Sequence, residues 1–130
     1  MAPRALNLPS LATICQINRS VRQPEEWFDE PDDLERLRQV LASIDVEPDD
    51  DPLAVAAALI GRIARAQAFG EGNKRTALLT GALFLDRCGI DGSLLDSDGI
   101  GRLLVAASIG TDVETAVLTE LRAAAGRHGV

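Results

Sequence analysis

The chain has 130 residues, enough for one domain with a single core. Aromatic residues make up only 3% of it, so the core must come from Ala, Leu, Ile and Val, a set that suits packed helices better than sheets. A net charge of −7 argues against general binding to DNA or RNA, and the longest apolar run, Leu53–Ile60, is too short to span a bilayer.

Caps and breakers divide the chain into about six helices. Helix one starts near Ser10 and carries Leu11, Ile14, Cys15 and Ile17 on one side. The stretch Ser20–Pro31 reads as irregular and acidic, with Trp27-Phe28 set among Glu25, Glu26, Asp29 and Glu30. Helix two begins at Asp32 or Asp33 and runs to about Ile44, with Leu34, Leu37, Val40 and Leu41 at helical spacing. A second acidic link, Glu47–Asp51, ends in a good N-cap, and Pro52 follows at the first helical position. Helix three then runs to about Ala66, with Leu53, Ala56, Leu59, Ile60 and Ile63 as its core stripe. Helix four starts near Asn73 and ends before Gly89; its apolar residues lie on nearly every side, which predicts the buried centre of a bundle.

Helix five covers roughly Asp98–Ile109 and is closed by Gly110. Helix six opens with Thr111-Asp112-Val113-Glu114, at capping-box spacing, and ends near Gly126. No alternating stretch is long enough to build a sheet, although either acidic link has room for a short hairpin. The expected fold is all-α, one compact bundle over residues 1–130. Cys15 and Cys88 match no metal spacing and read as reduced, packed thiols. Arg4, Asn7, Arg19 and Arg22 interrupt any apolar stretch of signal-peptide length, so the expected location is the cytoplasm, with no membrane partner.

The segment richest in chemistry is Gln67-Ala68-Phe69-Gly70-Glu71-Gly72-Asn73-Lys74-Arg75-Thr76, between helices three and four. The first turn of a helix offers unpaired N–H groups and the positive end of the helix dipole. Gly70 and Gly72 let the backbone curl around a ligand, and Asn73, Lys74 and Arg75 add donors and two positive charges. Cations at a helix N-terminus oppose the dipole, an arrangement that a bound phosphate would stabilise. Lys74 is the only Lys among 13 basic residues. Glu71 is the one acid among these groups, and a single carboxylate with substrate phosphates is a usual way to hold Mg²⁺. Phe69 is placed to plug the loop into the core. A Walker P-loop is excluded by spacing. The plainer reading is a Gly-rich turn with a polar helix start, against which stand the density of donors, the lone Lys and the adjoining acid.

Phe69-x-Glu71-Gly72-Asn73-Lys74-Arg75-Thr76 resembles the signature of the Fic/Doc family, His-x-Phe-x-Asp/Glu-x-Asn-Gly/Lys-Arg. The flanks are similar too: an apolar helix ending at the motif, then Thr-Ala-Leu and a long helix ending in Arg87-Cys88-Gly89. The resemblance implies a six-helix fold that transfers part of a nucleotide to a protein Ser or Thr hydroxyl, using ATP and Mg²⁺. Glu71 takes the family's metal-binding acid role; Gly72, Asn73, Lys74 and Arg75 hold the phosphates; Phe69 anchors the loop. Lys74, where the AMP-transferring branch prefers Gly, and Leu78, where that branch has a second Arg, point to the Doc branch, whose activity is phosphorylation of elongation factor Tu. Gly72, which the AMP-transferring motif shares, keeps AMP transfer open.

The departure from the signature is at position 67, where the family's catalytic His is replaced by Gln67. An amide exchanges hydrogen bonds but cannot take a proton near neutral pH. Gln67 is either an engineered inactivation or a natural feature of a pseudoenzyme or of altered chemistry. The only His, His128, lies in the C-terminal tail and reads as a surface residue. Trp27-Phe28 reads either as a docking anchor for a partner or, more simply, as a cap on the core. Some family members inhibit themselves with Ser/Thr-x-x-x-Glu-Gly/Asn. The nearest string here, Ser43–Pro48, is broken by Pro48, so a separate antitoxin is the expected control.

Overall fold

The computed structural model describes residues 7–22, 32–96, 98–107 and 112–127. These form six α-helices and no strand: α1 (Leu11–Val21), α2 (Leu34–Ala42), α3 (Pro52–Ala66), α4 (Asn73–Arg87), α5 (Asp98–Ala107) and α6 (Val113–Arg127). A short 3-10 helix, Gly92–Asp96, joins α4 to α5 and has no counterpart in the sequence reading. No helix among the described residues is long and apolar enough to cross a membrane. Trp27, Phe28 and His128 lie outside the described residues.

The helix starts follow their caps. The Ser10 side chain accepts from Thr13 N at 3.1 Å, Asp33 from Arg36 N at 3.0 Å, and Asp51 from Leu53 N at 3.0 Å ahead of Pro52. Two expectations are corrected. Helix α2 ends at Ala42 rather than near Ile44, because Ser43 turns its hydroxyl onto Val40 O and closes the helix there. Helix α6 is capped by Asp112, which accepts from Thr115 N at 3.2 Å. Glu114 ion-pairs with Arg62 of α3 at 2.7 Å.

Helix α3 holds the middle of the bundle and packs most extensively on α4 and α6. Ala56, Leu59 and Ile60 are fully buried on it. Helix α4 buries Ala77, Thr80, Gly81, Phe84 and Leu85 but leaves Leu79 43% exposed, so its burial is one-sided despite its all-round apolar sequence. The α3–α4 contact is close at Gly81, where an added Cβ would lie 2.5 Å from Ile60 Cγ1. Ile60 is fully buried, and Leu95 Cδ1 lies 3.2 Å from the same point. Gly81→Ala is therefore expected to destabilise the fold by about 1–3 kcal/mol through overpacking, read as a lowered midpoint in urea with an unchanged slope. That contact fixes how the end of α3 meets the start of α4, and the motif loop lies between them.

Candidate active site

Helix α3 ends on Gln67, its C-cap, at φ 51° and ψ 42°. Gln67 is the only non-Gly residue with positive φ among the described residues. Helix ends commonly use a left-handed residue, but usually Gly. Here the side chain compensates: Nε2 donates to Ala64 O at 2.9 Å, and Oε1 accepts from Asn73 Nδ2 at 3.4 Å. Ala68 and Phe69 then turn into the core at 2% and 4% exposure. Asp33 N donates to Ala68 O, Arg36 Nη1 donates to Ala66 O at 3.1 Å, and Gly70 N donates to Asp32 Oδ1 at 2.9 Å. Asp32 is in turn ion-paired with Arg22, at the end of α1. The start of α2 thus grips the loop along its outer edge.

The inner edge is held by two asparagines. Asn73, the first residue of α4, is 8% exposed. Its Oδ1 accepts from Phe69 N at 3.0 Å and its Nδ2 donates to Phe69 O at 2.9 Å. The carboxamide is therefore committed to the loop. Asn73→Ala would strand both polar groups of Phe69 in the core. The expected cost is about 2–4 kcal/mol in chemical denaturation. Asn18 of α1 is buried at 1% exposure and donates to Glu71 O at 2.8 Å and to Thr76 Oγ1 at 3.1 Å.

Gly72 is the N-cap of α4, at φ 76°, and no side chain caps this helix. The first helical hydrogen bond runs from Thr76 N to Gly72 O at 2.9 Å, which leaves the N–H groups of Asn73, Lys74 and Arg75 ahead of it without intrahelical acceptors. Lys74 is half-buried, and its ammonium has no ion pair among the described residues. Arg75 is 52% exposed and reaches Glu71 Oε1 at 3.2 Å. The other carboxylate oxygen, Glu71 Oε2, is buried with no hydrogen-bond partner. An orphaned carboxylate oxygen, on a side chain paired with Arg75 and next in the chain to a helix start with free N–H groups, suits a site that takes a metal-bound polyphosphate. Among the described residues no group of three or more His, Cys, Asp or Glu could hold a metal by itself, so Glu71 would share Mg²⁺ with the phosphates. Position 67 holds an amide, which exchanges hydrogen bonds but cannot accept a proton.

All seven residues singled out from sequence, Gln67, Phe69, Glu71, Gly72, Asn73, Lys74 and Arg75, lie on this one turn. Asn18, Arg22 and Asp32 were not legible as site residues. Asn18 left one trace: it follows Ile14 by one helical turn and so breaks the apolar stripe of α1 with a polar group.

The fold and the site define a helical domain in which a carboxylate and an uncapped helix start are held together by the buried amides of Asn18 on α1 and Asn73 on α4. The chain matches the Fic/DOC family over residues 9–85, from just before α1 to near the end of α4, and it belongs to that family, whose members generally transfer nucleotide-derived groups to proteins. No curated protein and no solved structure matches it significantly.

Proposed function

We propose that this chain is a Doc-like toxin that moves a phosphoryl group from ATP to a Ser or Thr hydroxyl of a translation factor resembling elongation factor Tu, and that a separate antitoxin restrains it in the cytoplasm. The observation that carries this reading is the start of α4. Its first N–H groups lack intrahelical acceptors, Lys74 and Arg75 lie on its first turn, and Arg75 pairs with Glu71, whose second oxygen is buried without a partner.

Phosphoryl transfer asks a protein mainly to position the reactants and to stabilise charge. The N–H groups of Gly72 through Arg75 and the side chains of Lys74 and Arg75 hold the phosphates. Glu71 would hold Mg²⁺, which when bound neutralises charge on the transferred group. The hydroxyl oxygen of the target forms the new P–O bond as the bond from the γ-phosphorus to the bridging oxygen breaks, and ADP leaves. The hydroxyl proton needs an acceptor, and Gln67 is not one, so the chain as written binds nucleotide but turns over poorly.

Two other readings rest on specific residues. Gly72, shared with AMP-transferring members, supports transfer of AMP by the same site. Gln67, whose amide is tied to Ala64 and Asn73, supports a regulator that binds nucleotide without catalysis. The test is to incubate the Gln67→His protein with ATP, Mg²⁺ and a bacterial translation extract and to weigh the modified target. A gain of one phosphate supports the kinase. A gain of AMP keeps the site and changes the reaction. No gain, with ATP bound and elongation factor Tu present, rejects the enzyme in favour of the regulator.

A further inference from the structure

Nothing within the loop itself fixes the peptide that joins Glu71 to Gly72. Gly72 has no side chain, and glycine populates positive and negative φ about equally, so this peptide is free to flip unless something outside holds it. Asn18 is that outside group. Its Nδ2 donates to Glu71 O at 2.8 Å from a site with 1% exposure on α1. In a trans peptide the carbonyl and the next N–H point in opposite directions. With the Glu71 carbonyl drawn toward α1, the Gly72 N–H is turned away from α1. The packing leaves little slack, because a Cβ on Gly72 would lie 3.2 Å from Val21 Cγ2 and 3.3 Å from Asn18 Nδ2. The second bond, from Asn18 Nδ2 to Thr76 Oγ1 at 3.1 Å, ties the same amide to the first turn of α4.

We propose that Asn18 is a positioning residue for the phosphate grip: it locks the Glu71–Gly72 peptide so that the Gly72 N–H joins those of Asn73, Lys74 and Arg75 in facing the anion. This rests on the nucleotide-binding reading above. If the peptide flipped, the site would present a carbonyl oxygen to the phosphate in place of a donor. A buried amide kept only for packing would affect folding and leave the direction of this N–H unchanged.

The experiment is a titration of the ¹⁵N-labelled chain with ADP and Mg²⁺, followed by amide NMR and by calorimetry, on the unaltered protein and on Asn18→Ala and Asn18→Asp. The Asp variant keeps the shape of Asn18 and removes its donors. The unaltered chain is expected to show a large ADP-dependent shift of the Gly72 amide. A variant that keeps native amide dispersion elsewhere is expected to bind ADP about tenfold or more weakly, with the Gly72 response lost. Folded variants that bind ADP as the unaltered chain does overturn the proposal and leave nucleotide binding intact. So does a silent Gly72 amide in the unaltered chain while those of Asn73–Arg75 respond, a result that decides the matter even if neither variant folds. No ADP response anywhere in the unaltered chain rejects the nucleotide reading itself and this inference with it.

Discussion

Replacing Gln67 with His is expected to raise group transfer to a protein hydroxyl by about 10²–10⁴-fold, the usual contribution of a positioned general base. The backbone at this position accommodates the substitution. Gln67 caps α3 in the left-handed region, at φ 51°, which His tolerates better than most residues. Its side chain leaves the helix next to Asn73, the first residue of α4. The substitution removes the bond to Ala64 O, so a stability loss of about 0.5–1.5 kcal/mol accompanies the gain in rate. The two effects separate by pH. A base works in its neutral form, so the rate gained by Gln67→His should climb as pH rises through the ordinary imidazole range, about 6–7. Gln67→Asn provides the control, since it alters the same contacts and supplies no base. Equal rates for Gln67→His and Gln67→Asn, with ATP bound to both, would remove position 67 from the chemistry.

Much of the architecture was legible because it is written locally. The Asp51-Pro52 start of α3, the Ser10 and Asp33 caps, and the Gly-rich turn before Asn73 each depend on neighbours only a few residues away. What failed depends on tertiary contact. Thr111–Glu114 has the spacing of a capping box, but Glu114 meets Arg62 across the α3–α6 interface and ion-pairs there. Leu34 fits the apolar spacing of α2 and is nonetheless 41% exposed, as is Leu79 on α4 at 43%, because periodicity shows which residues share a face and not whether another helix covers it. The site divides in the same way. The residues on the turn were readable as a string, while Asn18, Arg22 and Asp32 reach it from α1 and the start of α2. No sequence spacing announces a contact between residues 18 and 71. Only a polar residue in the apolar stripe hinted that α1 had something buried to hold.

Glu71→Gln is expected to leave the fold about as stable as before while abolishing the gain in ATP affinity that Mg²⁺ confers, a loss of about 10–100-fold, the scale on which even outer-shell metal partners act. The two directions follow from the two oxygens. Oε1 pairs with Arg75 at 3.2 Å, but Arg75 is 52% exposed, and such pairs contribute roughly 0–1 kcal/mol. Oε2 is buried without a partner, which is unfavourable for the fold. An amide has the same shape and no charge to desolvate, so the folded state loses little or gains slightly. The turn loses its only carboxylate. Urea denaturation reads the first effect, and calorimetry of ATP binding with Mg²⁺ or with EDTA reads the second. A Glu71→Gln protein that keeps the full Mg²⁺ dependence would place the metal on some other acid. One that is strongly destabilised would make Glu71 a structural residue, its orphaned oxygen no longer a sign of a ligand. The expected pairing, an unharmed fold with a lost metal response, is what a carboxylate kept for its ligand produces.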